Sequence, residues 1–142
     1  MTEPLNPQHL TPSTSLNRLR IAALPAGIRY AEDMLGKTGY ELTSTQYLAA
    51  QVRLNAAQLK LRPETLNQSD RELPKLLSAS FDSPDSHVRA KTRAIIQQFG
   101  RNIGCLLLTL KLGDPANRVV RTDWDDSYWA HWESIRTIYC GG

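Results

Sequence analysis

The sequence predicts a mainly α-helical fold with a small β component: a helical layer around one long helix, with one or two strands near the C-terminus. Two patterns predict the helices. Val88, Thr92, Ile96, Phe99, Ile103, Leu106 and Leu110 recur at spacings of three and four, and so do Leu48, Val52, Ala56 and Leu59. A third pattern predicts the strand, because Ser134–Cys140 alternates Ile135, Thr137 and Tyr139 with Arg136, Ile138 and Cys140 and is rich in β-branched and aromatic residues.

The elements follow in order. Residues 1–14 carry Pro4, Pro7 and Pro12 and few apolar groups, so they are expected to form a mobile N-terminal arm. Residues 15–142 are expected to form a single domain, a size at which a core needs no disulfide staple. Ser15 can cap a short helix that turns Leu16 and Leu19 inward, although Arg18-Leu19-Arg20-Ile21 also alternates like a strand; helix is the expectation. Pro25 starts a further turn, after which Ile28, Ala31 and Leu35 make an apolar stripe ending at Gly36.

Thr43 or Ser44 is expected to cap a helix over Ser44–Leu61, which Arg62-Pro63 ends. Ser69-Asp70-Arg71-Glu72 has the form of a capping box, so a short helix is expected from about Asp70 to Ser80. Ser83 is the expected cap of the long helix, with Pro84 at its first position and Asp85 beside its positive end. Phe99, Ile103 and Leu106 are its expected core. Gly100 and Gly104 are expected to give it a mild kink, and Gly113-Asp114-Pro115 to stop it. Val119-Val120 could open another strand.

Composition narrows the function classes. The net charge of +3 lies entirely in residues 1–62, since residues 63–142 hold ten basic and ten acidic groups. From Ser86 to Gly113 there are basic residues and no acidic one, whereas Asp114–Glu133 is mostly acidic, so the two stretches are expected to lie near each other. Arg89, Arg93 and Arg101 could instead meet phosphates, but solvated helix faces are ordinarily charged, and nucleic acid is not the expected partner. Cys105 and Cys140 read as buried thiols of a reducing, cytoplasmic compartment. No apolar run is long enough to span a membrane.

All three tryptophans fall in Trp124–Trp132 beside Asp123, Asp125 and Asp126. Such a cluster could stack on a base or sugar, and its acids could bind a cation; packed rings on a short amphipathic helix are the expectation. His131 has no Cys or His at ligand spacing, so no metal site is expected. No catalytic triad, Cys-His pair or carboxylate dyad is recognisable by spacing, and this chain alone is expected to be non-catalytic.

A long helix, a Gly-Asp-Pro turn and a strand ending in two glycines resemble the adenosine-binding region of ROK-type sugar kinases, within the actin-like ATPase superfamily. The likeness covers roughly Asp85–Gly142. It implies that Gly141 and Gly142 lie against the nucleotide and that Gly113-Asp114-Pro115 is the turn of that motif. The family's phosphate-loop, catalytic-aspartate and zinc motifs are absent from this sequence. The resemblance therefore implies a degenerate lobe, or a fragment whose larger polypeptide would bind ATP and magnesium. This chain alone is expected to need no cofactor. The alternatives are an α-helical interaction module that forms a homo-oligomer and a basic nucleic-acid-binding module.

Overall fold

The computed structural model describes residues 15–28 and 32–139. The expected arm over 1–14, together with Ala31, Cys140, Gly141 and Gly142, lies outside the described residues. The fold is mainly helical: α1 Gly39–Thr43, α2 Thr45–Leu54, α3 Lys75–Ser80, α4 Ser86–Leu112, α5 Pro115–Val119 and α6 Asp126–Ser134. Short 3-10 turns occur at Leu16–Arg18, Glu32–Met34 and Pro63–Asn67. Two compact units are distinguished, one made of the described parts of Met1–Gly39 and Gly104–Gly142, the other of Tyr40–Ile103.

In the Tyr40–Ile103 unit, Ser44 caps α2 as expected, its Oγ accepting from Tyr47 N. The helix ends at Leu54, short of Leu61, because Asn55 leaves helical geometry and donates its side-chain amide to Gln51 O. The chain then closes in a Schellman turn: Leu61 N donates to Ala56 O, Lys60 N donates to Ala57 O, and Lys60 adopts a left-handed φ of 53°. The helix expected over Asp70–Ser80 is shorter too. At Ser69 it is the carbonyl that accepts from Glu72 N and Leu73 N, which makes a turn, and α3 starts only after Pro74. Ala49, Val52, Leu59, Leu73, Leu77, Val88 and Ile95 form the core of this unit, with Leu48, Leu61, Leu76 and Ile96 packed on it. Burying each such leucine contributes roughly 1.5–3 kcal/mol.

The cap of α4 is Asp85, not Ser83. Asp85 Oδ1 accepts from His87 N at 2.8 Å and Val88 N at 3.3 Å, while Ser83 Oγ accepts from Asp85 N. A carboxylate also complements the positive helix end, which a hydroxyl does not. The buried arc of α4 differs from the expected one as well. Of the expected face, Val88, Thr92, Leu106 and Leu110 are buried, but Ile96, Phe99 and Ile103 are only half-buried, Phe99 stacking on Tyr47 at 6.1 Å, while Ile95, Asn102, Cys105 and Thr109 are buried as well. Each of these polar residues is satisfied: Thr92 Oγ1 donates to Val88 O, Thr109 Oγ1 to Cys105 O, and Asn102 Nδ2 to Leu42 O. Gly100 and Gly104 face open space, and α4 is helical through both.

In the other unit the first segment is neither the expected helix nor a strand, but a three-residue 3-10 turn followed by an extended run. Ser15 Oγ accepts from Asn17 N over the 3-10 turn, and the chain then extends with Leu19 and Ile21 buried and Arg20 outside. Arg20 pairs with Thr38 in an isolated antiparallel bridge; Leu19 O accepts from Gly39 N, and Ile21 N donates to Lys37 O. Gly39 has no substitute there, since a Cβ would collide with the Leu16 carbonyl. Of the expected stripe Ile28 is half-buried and Leu35 is exposed, and Met34 is buried instead of Leu35.

No strand occurs among the described residues. Ser134 is the last residue of α6, and residues 135–139 run on without a ladder. Alternation makes a strand only where another edge accepts its hydrogen bonds, and residues 135–139 find none. Val119 ends α5, and Val120 is its C-cap in helical geometry. The Gly-Asp-Pro stop forms as expected, with Gly113 at φ 55°, and it restarts a helix at once: Asp114 caps α5 and Pro115 opens it.

Candidate functional site

The site is built on the C-terminal turns of α4, on α6 and on residues 135–139. Asp125 caps α6, its Oδ1 accepting from Tyr128 N at 2.9 Å. The rings of Trp124, Tyr128 and Trp129 pack on one another with centroids 4.4–5.7 Å apart, and all three are buried. The Arg121 guanidinium lies 4.4 Å from the Trp124 ring, and that of Arg118 lies 5.5 Å from Trp129. Burial pushes the Tyr128 hydroxyl up to about 12, against the opposing pull of a hydrogen bond with Trp132 and of the Arg121 charge.

That cluster fixes α6, and α6 presents Trp132. Leu107, Leu108, Lys111, Trp132, Ile135 and Ile138 line an open cavity of about 190 Å³, apolar except for Lys111. The Lys111 ammonium donates to Glu133 O at 3.1 Å and to Ile135 O at 2.5 Å, closing the C-terminal end of α6 and holding the chain beyond it against α4. Two of the lining side chains are partly exposed, Leu108 at 42% and Ile138 at 47%, and Leu112 and Tyr139, next in the chain to the lining residues Lys111 and Ile138, are 58% and 93% exposed. Burying them on a partner would contribute about 25 cal/mol per Å² before the cost of association.

Asp126 pairs with Arg118 at 3.3 Å and Asp123 with Arg121 at 2.5 Å, so these acids of the Asp114–Glu133 stretch are met by the stretch's own two arginines. From the basic helix, Lys111 reaches the end of that stretch at Glu133 O. Arg89 is half-buried and donates to Ser83 O at 2.6 Å, while Arg93 and Arg101 are exposed. The three arginines are fanned over about 120° of the helix and do not converge. Among the described residues no group of His, Cys, Asp and Glu could hold a metal ion, and no helix is long and apolar enough to cross a membrane. The ligand-bearing glycines expected from the resemblance, Gly141 and Gly142, lie outside the described residues.

The sequence singled out Trp132 as one of the tryptophan cluster, but not the trough. Leu107 and Leu108 are not among the residues that define the expected face of the long helix, and Ile135 and Ile138 read as strand residues. No family model, no curated protein and no solved structure matches the chain.

Proposed function

We propose that the chain is an α-helical interaction module that self-associates through the trough between α4 and α6. The observation that carries this reading is the pairing of a concave apolar surface with convex apolar side chains on the same unit. Leu107, Leu108, Trp132, Ile135 and Ile138 form the trough, and the exposed Leu112 and Tyr139 adjoin its lining residues in the chain. A socket and a knob side by side allow one copy to fill the other across a two-fold axis, the symmetry of most homodimers. Lys111 already gives two of its three N–H donors to carbonyls, which lowers the cost of covering the ammonium when the trough is filled. No described residue adds to the kinase-lobe reading, whose Gly141 and Gly142 lie outside them.

Hydrogen exchange at two protein concentrations tests the proposal. Amides of residues 135–139, which make no ladder within the chain, gain protection at high concentration if a second copy covers them. Equal exchange at both concentrations contradicts it.

A further inference from the structure

A second concave surface lies wholly in the Tyr40–Ile103 unit. Ala57, Gln58, Lys60, His87, Ala90, Lys91 and Ala94 line an open trough of about 490 Å³. Its walls are the Schellman turn after α2 and the first turns of α4. No carboxylate lines it. The nearest, Asp85, is bound to the Lys60 ammonium and to the amides of His87 and Val88. The capping carboxylate thus occupies the helix N-terminus, and the trough offers side-chain donors only: Lys60, Gln58, His87 and Lys91.

Two of these donors succeed each other along α4. His87 and Lys91 are one turn apart on α4, a rise of about 6 Å, and Arg101 continues the same side of the helix about 15 Å further on. Ala90 and Ala94 between them are short side chains that keep the floor open. A single phosphate cannot reach from Lys60 to Arg101; a chain of phosphates can. The trough has no Phe, Tyr or Trp, and its one ring is the His87 imidazole, so it offers no run of rings for successive bases and recognition would fall mainly on phosphates. The charge of Arg89, Arg93 and Arg101 by itself did not point to a ligand. The trough does, because it places cations from two elements around one open channel.

We infer that the trough between the Lys60 turn and α4 binds a chain of phosphate groups, through Lys60, His87 and Lys91 and onward to Arg101. Two sources share this chemistry, the backbone of a single-stranded nucleic acid and inorganic polyphosphate. This site is independent of the apolar trough of the other unit.

The test titrates the full chain into a fluorescent dT20 oligonucleotide and, separately, lets inorganic polyphosphate compete for it. The oligonucleotide is expected to bind at low salt, with log affinity falling against log salt at a slope of about −2, the value for three cationic contacts on a single strand. Competition by polyphosphate at matched phosphate concentration names it as the second source; its failure assigns the site to the nucleic-acid backbone. Lys91→Glu with Arg101→Glu is expected to weaken binding at least tenfold. Arg62→Glu with Arg71→Glu, the same change in charge on exposed residues elsewhere in the unit, is expected to change it less than threefold. Asp85→Asn keeps a capping side chain and releases Lys60, so it is expected to tighten binding. Equal losses in the two double variants, equal competition by polyglutamate, or no binding at low salt would each overturn the inference.

Discussion

Asn117 holds Ala23 from both sides. Its Oδ1 accepts from Ala23 N at 2.9 Å and from Ala22 N at 2.8 Å, while its Nδ2 donates to Ala23 O at 2.9 Å. A buried side-chain amide thus does what a neighbouring strand would do, for a segment that has none. Asn117→Ala leaves these backbone groups without their partner and is expected to cost about 2–3 kcal/mol. Chemical denaturation measures it, and a loss below about 0.5 kcal/mol would mean that water replaces the amide.

Lys60 carries a left-handed backbone that glycine would adopt without strain. Lys60→Ala and Lys60→Gly both remove the pair with Asp85, so the difference between them isolates the backbone. The glycine variant is expected to be about 1 kcal/mol more stable than the alanine variant. Equal denaturation midpoints would show that the turn relaxes.

The glycines separate in the same way by their surroundings. Gly39→Ala drives a methyl group into the Leu16 carbonyl and is expected to destabilise by about 1–3 kcal/mol. Gly104→Ala adds a methyl group in open space within α4 and is expected to stabilise by up to about 1 kcal/mol. Thermal melts of the two variants should therefore move in opposite directions.

Acid should act on the cap of α4. The hydrogen bond from Lys60, and then those from the His87 and Val88 amides, lower Asp85 from 3.8 to about 2. A carboxyl whose folded value is depressed stabilises the fold above its unfolded value and loses that contribution as pH falls through the folded one. The stability advantage over Asp85→Asn is therefore expected to be full above about pH 4 and to shrink between pH 4 and pH 2. Urea midpoints across that range read it, and an unchanging difference would remove Asp85 from the account.

What the sequence showed and hid follows from the range of the forces involved. Ser44 as a cap and Gly113-Asp114-Pro115 as a stop act within one turn, and both are legible. Ser83 and Asp85 compete for one cap two residues apart, a choice that periodicity does not make. Asn102 and Asn117 look like surface residues until Leu42 and Ala23 are placed opposite them, 60 and 94 residues away. Ser134–Cys140 alternates like a strand, but a strand needs an edge, and α6 takes Ser134 instead. The apolar trough joins Leu107 and Leu108 to Trp132, Ile135 and Ile138, a juxtaposition created by the turns between α4 and α6. The charge of Arg89, Arg93 and Arg101 was countable in the sequence, whereas the meeting of Lys60 with His87 and Lys91 appears only in the fold.

The measurement that bears most directly on self-association is sedimentation equilibrium of the full chain, beside a Leu108→Glu, Ile138→Glu variant, over a hundredfold range of concentration. Both substituted side chains are partly exposed, so the monomer is expected to keep its fold, which circular dichroism checks. The account predicts that the mass of the natural chain rises from 16.0 kDa toward twice that value, while the variant stays at the monomer mass. A natural chain that remains monomeric throughout, or a variant that associates equally well, would contradict it.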